Sequence, residues 1–301
     1  MYLSFYQLRE EPFRLTPDPR FLQLAEPHRN ALLALTQGVI NRKGLLVLSG
    51  PVGTGKTTVV NSLLNVLTRR YAQLPTALIV NPRLNRDELL ETLLAEFEVP
   101  GVFSSKPCRL AALQRLMFSA CKNGGTCVLI VDEAHLLTTD VLEEIRLLMN
   151  ADSHYGKPLQ VVLCGQPEVT VLLRDPANKA LNQRIALRVT LRELGRSETR
   201  AYVTERLRIA GREGTGPFTS SAYDRIYEYS RGVPRLINIL CDTCLQIGCQ
   251  AAQPEIGEHI VEEASIRHEL EPTGWLQNET ESSILPAWDD SAPSVKMAEP
   301  E

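Results

Sequence analysis

Apolar positions along the chain follow two periodicities that divide it near residue 195. Before that point, five short apolar runs read as buried strands: Leu45 to Ser49, Ala77 to Asn81, Cys127 to Val131, Val161 to Cys164 and Ile185 to Leu191. Helical spacings lie between the first several, as in Val59, Val60, Leu63, Leu64 and Leu67, and again in Leu89, Leu90, Leu93, Leu94 and Phe97. Asn85 followed three residues later by Glu88 is a capping-box arrangement that starts the second of these helices. Strands alternating with helices predict an α/β fold, a parallel sheet with helices packed on its faces.

Beyond residue 195 the strand signal stops and helical patterns take over: Glu198 to Ala210 before Gly211, Ala222 to Ser230 before Gly232, Pro234 to about Ala251, and Gly257 to about Leu270. Ser197 and Ser221 are the expected caps of the first two, and the glycines their expected stops. From Glu271 the composition turns to Pro, Ser, Thr and acids without periodicity, as in a tail that cannot bury enough to offset chain entropy. The expected organisation is an N-terminal segment over 1–30, an α/β core over 31–194, a helical domain over 195–270 and an acidic, disordered tail over 271–301.

Composition narrows the class. Of 301 residues, 44% are hydrophobic and 23% charged, which excludes disorder throughout. No run approaches the roughly 18 apolar residues of a membrane helix, and the first thirty residues lack the apolar centre of a signal peptide. Seven cysteines, an odd number, with Cys127 and Cys164 inside apolar runs, read as thiols in a reducing compartment. The expected location is therefore the cytoplasm, with no direct membrane insertion. The net charge of -4 is local: residues 268–301 carry eight acids against one base, Lys296, so the body is nearly neutral and charge alone neither demands nor excludes a polyanionic partner.

The chemistry is concentrated in Gly50-Pro51-Val52-Gly53-Thr54-Gly55-Lys56-Thr57-Thr58, which follows a strand, opens a helix and fits G-x-x-x-x-G-K-[ST]. Glycines there let backbone N–H groups turn toward a triphosphate at a helix N-terminus, where free donors and the helix dipole favour negative charge. Lys56 would reach the β and γ phosphates, and Thr57 would give a hydroxyl to Mg²⁺. Further on, the apolar strand Cys127 to Val131 ends in Asp132 and Glu133. Asp132 is expected to orient the magnesium shell and Glu133 the attacking water, since in-line hydrolysis depends mainly on positioning and electrostatics.

With these residues assembled, the chain resembles the AAA+ ATPases, and within them the secretion-associated branch represented by general secretion pathway protein A and the ATPases of exosortase loci. The resemblance runs from Met1 to about residue 268. It rests on Phe5-Tyr6-Gln7-Leu8, Pro12-Phe13, Thr16-Pro17-Asp18-Pro19 with Phe21, the stretch Gly50 to Thr58, Asp132-Glu133-Ala134-His135, Gly165-Gln166-Pro167-Glu168, Leu181-Asn182-Gln183-Arg184-Ile185 and Gly232-Val233-Pro234-Arg235. Pro51 departs from relatives that often carry an acid there, at a position that needs only backbone. The resemblance implies a P-loop NTPase with a three-layer parallel-sheet core and a small C-terminal helical lid. It implies that Gln166 is sensor 1, that Arg184 is an arginine finger supplied to a neighbouring subunit, and that Arg235 is sensor 2 from the lid. It points to Pro12-Phe13 for the adenine. An in-trans finger requires a homo-oligomer.

The implied activity is Mg²⁺-dependent ATP hydrolysis that energises or times assembly of a bacterial secretion or polysaccharide export system. Longer members of the branch carry a membrane segment and a peptidoglycan-binding domain that are missing here, so a protein partner is expected to link the chain to the envelope. Two alternatives stand beside this: an ATP-dependent DNA-binding regulator of the transposition type, and a nucleotide-gated adaptor with slow turnover. Residues 184–212 hold eight arginines against three glutamates, which suits either subunit contacts or DNA backbone. Asp132 to His135 also spells the box of DEAH helicases, but the further helicase motifs are lacking. Cys241, Cys244 and Cys249 read as core cysteines of a helix. Trp275 and Trp288, in the acidic tail, read either as docking anchors or as side chains folded back on the helical domain.

Overall fold

The computed structural model describes residues 2–15, 26–71, 74–150, 156–214 and 216–272. The Thr16 to Phe21 motif and the tail tryptophans Trp275 and Trp288 lie outside the described residues. After a short helix α1 (Tyr2–Phe5) come α2 (Glu26–Ile40), β1 (Leu45–Ser49), α3 (Lys56–Arg70), β2 (Thr76–Ile79), α4 (Arg86–Glu96), α5 (Lys106–Lys122) and β3 (Cys127–Val131). Then follow α6 (Thr139–Met149), β4 (Leu159–Gly165), α7 (Glu168–Arg174), α8 (Lys179–Asn182) and β5 (Ile185–Thr190). Four helices complete the described residues: α9 (Arg196–Ile209), α10 (Ser220–Ser230), α11 (Pro234–Gln250) and α12 (Glu258–Arg267).

The five strands form one parallel sheet in the order β2-β3-β4-β1-β5. Strand periodicity assigns alternate side chains to opposite faces. Leu45, Val47, Leu129 and Leu163 join one hydrophobic cluster with α4 to α7, while Leu46, Leu48, Ile130 and Cys164 join another with α2 and α3. Both faces are thus covered, which is why β1, β3 and β4 are apolar at nearly every position rather than alternating. The chain leaves β1 for the far edge, returns through β3 and β4, and jumps β1 to reach β5. The expected three-layer α/β core is what the fold shows, with β2 ending at Ile79 rather than Asn81.

A third cluster belongs to the C-terminal helices and takes in Tyr6, Leu8 and Phe13 from the chain's start. Tyr2 Oη donates to Asp242 at 2.6 Å and Tyr6 Oη donates to the Gln253 carbonyl at 2.9 Å, so residues 2–15 pack as part of the helical portion. The changeover is sharp: Leu191 packs with the sheet and Leu194 with the helices. Gly232 sits at that seam with φ 73°, and a Cβ there would lie 1.8 Å from the Leu194 carbonyl oxygen, so only glycine fits. Cys241 and Cys244 are buried in this cluster, where burial pushes both thiols up.

Local signals mostly held. The Asn85–Glu88 capping box forms, with Asn85 Oδ1 accepting from the Asp87 and Glu88 amides and Glu88 accepting from the Asn85 amide at 2.7 Å. The serine caps do not. Helix α9 starts after Gly195, whose amide donates to Glu198 at 2.7 Å, and α10 starts after Thr219, whose hydroxyl accepts from the Ala222 amide at 3.2 Å. In both cases a cap two residues earlier wins because it adds a first turn to the helix, which takes in Ser197 and Ser221. Among the described residues no helix is long and apolar enough to cross a membrane.

Candidate functional site: a phosphate loop at the sheet's carboxyl edge

Strand register brings the predicted residues together. Ser49 pairs with Gly165 and Val131 with Leu163, so Gly50, Asp132 and Gln166 all emerge from the carboxyl ends of adjacent strands. Ligands of open α/β sheets bind at this edge, where the strand order reverses.

The loop from Gly50 to Gly55 curls over β1 and delivers Lys56 as the first residue of α3. Gly53 and Gly55 have φ of 80° and 92°, in the left-handed region that L side chains rarely adopt. Gly50 is constrained differently: a Cβ there would lie 2.7 Å from the Leu191 carbonyl oxygen. Val52 is exposed on the rim, and Thr54 Oγ1 donates to the Pro51 carbonyl at 2.8 Å. Thr58 continues the first turn of α3. Lys56 is only 7% exposed, and its Nζ donates 2.8 Å to that same Pro51 carbonyl. A buried ammonium resting on a loop carbonyl at the start of a helix suits an anionic ligand.

Beside it, Thr57 Oγ1 donates to Asp132 Oδ2 at 2.9 Å, while Asp132 Oδ1 accepts from the Glu133 amide at 2.9 Å. Asp132 is 4% exposed. Burial, and after it the negative charge of Asp132, push the Cys164 thiol well up. A hydroxyl and a buried carboxylate side by side are the hard oxygen donors that Mg²⁺ takes. Glu133 adopts φ 50°, a strained conformation for a residue with a side chain. Its carboxylate lies 3.4 Å from His135, which in turn contacts Gln166.

Arg235 comes from the helical portion. Its amide donates to the Gly53 carbonyl at 3.3 Å, and a Cβ on Gly53 would meet Val233 at 2.8 Å and Arg235 at 3.2 Å. The start of α11 therefore sits directly on the phosphate loop, with the Arg235 side chain exposed.

Arg184 does not join this group. It precedes Ile185, which pairs with Leu45 at the opposite end of β1. Six residues of strand at about 3.3 Å each separate it from Thr190, level with Ser49, so its backbone lies about 20 Å from the phosphate loop of its own chain. Among the eight arginines of residues 184–212, seven engage this same chain. Arg188 binds Asn182, Arg192 binds Glu198, Arg196 binds Asp224, Arg200 covers the Tyr223 ring, Arg206 binds the Pro12 carbonyl, Arg208 binds Glu205 and Arg212 binds the Tyr6 carbonyl. Arg184 is the exposed exception among the described residues.

Two features escaped the sequence. Phe13 is a core residue of the helical portion, edge-on to Phe218 at 6.5 Å, rather than a free adenine contact. His28, which carries no motif, is buried at the loop: its Nε2 is 2.5 Å from the Thr54 carbonyl oxygen, and a Cβ on Gly55 would lie 2.7 Å from the ring. Burial lowers the His28 pKa, opposed by the Thr54 carbonyl and by Glu198. A lowered folded value means the unfolded chain protonates first, so the His28 contribution to stability is full above the unfolded value of 6.5 and is lost as pH falls below it. Melting curves from pH 7.5 to 5.5 are expected to fall more steeply for wild type than for His28→Gln, by up to about 1.4 kcal/mol per pH unit. Parallel curves would remove His28 as the cause.

Loop, carboxylate pair and strand order together define a P-loop NTPase fold of the AAA+ class. Residues 40–173 match the family model described as an AAA domain. The chain is 40% identical over 254 residues to general secretion pathway protein A of Aeromonas hydrophila, and these span 81% of the chain and 44% of that relative. The chain thus carries an AAA domain and is similar to general secretion pathway protein A, as the resemblance implied, and it spans less than half the length of that curated relative. Among solved structures, the Aeropyrum pernix ORC2 protein, in ADPNP–ADP complexes, superposes with a TM-score of 0.64 at 16% identity, covering 86% of this chain and 72% of that one. Drosophila ORC bound to DNA gives 0.64 at 19% identity, covering 88% and 66%. The Thermotoga maritima RuvB Holliday junction branch migration motor gives 0.54 at 18%, covering 83% and 71%. At these identities the likeness is one of fold.

Proposed function

We propose that this chain binds ATP with Mg²⁺ and hydrolyses it at an interface between copies of itself, and that turnover energises or times assembly of a bacterial secretion or polysaccharide export system. The observation that carries the reading is the convergence of the phosphate loop, the Thr57–Asp132 pair and Glu133 on one sheet edge. The loop amides and Lys56 bind the phosphates. Thr57 and Asp132 would hold the metal, which would supply positive charge against the charge that develops on the transferring group. Glu133 aligns and polarises the attacking water, Gln166 contacts the terminal phosphate, and Arg235 ties the helical portion to it. Arg184, exposed and remote from its own loop, serves a neighbour's nucleotide.

The export context comes from the likeness to general secretion pathway protein A; on this reading the partner is a protein of the envelope and the chain acts from the cytoplasm. The arginine-rich stretch is accounted for by contacts within the chain, so the DNA-binding alternative gains nothing from it.

The testing experiment measures ATP turnover by the wild-type chain with Mg²⁺ and after chelation, beside fluorescent-nucleotide binding by Lys56→Ala. Chelation is expected to lower turnover at least about a hundredfold, and loss of the Lys56 charge to weaken ATP binding at least about tenfold. Turnover that survives chelation, or unchanged affinity in Lys56→Ala, would refute the assignment.

A further inference from the structure

His135 stands where the predicted water-aligning carboxylate and the predicted phosphate sensor meet. It lies in the single 3-10 turn Ala134–Leu136 that follows Glu133, with its side chain 13% exposed. Its Nδ1 is 3.4 Å from Glu133 Oε2 and also 3.4 Å from the backbone nitrogen of Gln166. Its Nε2 is 3.3 Å from Gln166 Nε2. The backbone around the ring has little freedom: Glu133 is held at φ 50°, and a Cβ on Gly165 would come within 3.1 Å of the His135 amide nitrogen and 3.2 Å of Val169.

An imidazole carrying one ring proton cannot satisfy both claims on Nδ1. A protonated Nδ1 donates to Glu133, and Nε2 then accepts from the Gln166 side-chain amide. An unprotonated Nδ1 accepts from the Gln166 backbone N–H, and Nε2–H then requires the amide oxygen of Gln166, so the amide must turn over. The orientation of the Gln166 amide and the hold on Glu133 are therefore a single variable.

We propose that His135 is a positioning residue that couples Gln166 to Glu133, holding the carboxylate back until the Gln166 amide turns toward a terminal phosphate. This rests on the roles given to Glu133 and Gln166 above. With no γ phosphate present, the amide N–H of Gln166 faces Nε2 and Nδ1–H clamps Glu133. When that amide donates to the γ phosphate, its oxygen faces Nε2. The ring then loses its proton from Nδ1 to solvent and regains one at Nε2, with no net change of charge. The Glu133 carboxylate is released to align water. Departure of the phosphate reverses the sequence, so the carboxylate is free only while there is a bond to hydrolyse.

The test is a double-mutant cycle on the full chain, with kcat and KM for Mg-ATP measured for wild type, Gln166→Ala, His135→Ala and the double variant, and with Glu133→Gln as the reference for lost chemistry. Gln166→Ala, which leaves Nδ1–H on Glu133, is expected to lower kcat about tenfold with KM within about threefold of wild type, the signature of a residue that acts in the chemical step rather than in binding. His135→Ala removes the hold on the carboxylate and should not lower kcat, and coupling predicts that the double variant turns over at least about threefold faster than Gln166→Ala alone, because a carboxylate that is never held back needs no release. His135→Asn, which offers a donor near Nδ1 and nothing at Nε2, keeps the hold without its release and should match Gln166→Ala, which keeps the test open if the alanine variant does not melt as a folded protein. A double variant no faster than Gln166→Ala, or a folded His135→Ala with kcat lowered about tenfold, would overturn the coupling. If wild type turns over ATP and Glu133→Gln does not, such a result removes the coupling alone. If wild type and Glu133→Gln hydrolyse equally, the hydrolytic reading and the coupling fall together.

Discussion

Glu133→Gln is expected to lower ATP turnover about a thousandfold, within the range a positioned general base supplies, while ATP binding stays within a fewfold of wild type. The separation follows from where Glu133 sits. The phosphate-binding groups, the loop amides and Lys56, belong to β1 and α3, and the metal donors are Thr57 and Asp132. Glu133 touches none of these through its side chain; its contact is with His135 at 3.4 Å. Glutamine keeps the size and the backbone hydrogen bond to Asp132, but it cannot accept a proton from water as a carboxylate does. The bound nucleotide should therefore accumulate as ATP, measurable by quenching a stoichiometric mixture and separating ATP from ADP. Equal ADP formation by wild type and variant would remove Glu133 from the chemistry.

The residues behind that expectation were legible in the sequence because they are local. A glycine-rich loop between a strand and a helix, and two acids at the end of an apolar run, each describe a backbone path a few residues long, and the sheet register then has only to align β1, β3 and β4. The strands themselves were read nearly to the residue, since burial on both faces leaves continuous apolar runs. What stayed hidden is held by contacts far apart in the chain. Nothing near His28 announces that its ring will press on Gly55, and nothing near Tyr2 or Phe13 announces a place among helices more than two hundred residues away. The role of His135 was hidden for a different reason. Its identity was on the page within Asp132 to His135, but its meaning depends on Gln166, which β4 brings alongside only once the sheet has formed. The arginines of residues 184–212 show the converse. Read by composition they form a basic stretch, whereas the fold spends seven of them on carboxylates, carbonyls, an amide oxygen and an aromatic ring, and so isolates Arg184.

That isolation gives a second large expectation. Arg184→Ala should bind ATP normally yet hydrolyse it about a thousandfold more slowly, as expected when an arginine that stabilises the transition state is supplied in trans. Since the residue lies about 20 Å along β5 from its own loop, the loss should be repairable by another copy. Mixing Arg184→Ala with Glu133→Gln chains creates interfaces at which the intact Arg184 of one variant faces the intact Glu133 of the other. In a head-to-tail assembly, random pairing of equal amounts makes about one interface in four of this kind, so the mixture should recover about a quarter of wild-type turnover although each variant alone is nearly inactive. Recovery should vanish on dilution below the concentration at which light scattering shows copies separating. A mixture no more active than its parts would mean that Arg184 serves no neighbour, and an Arg184→Ala chain with wild-type turnover would return it to the ordinary exposed surface.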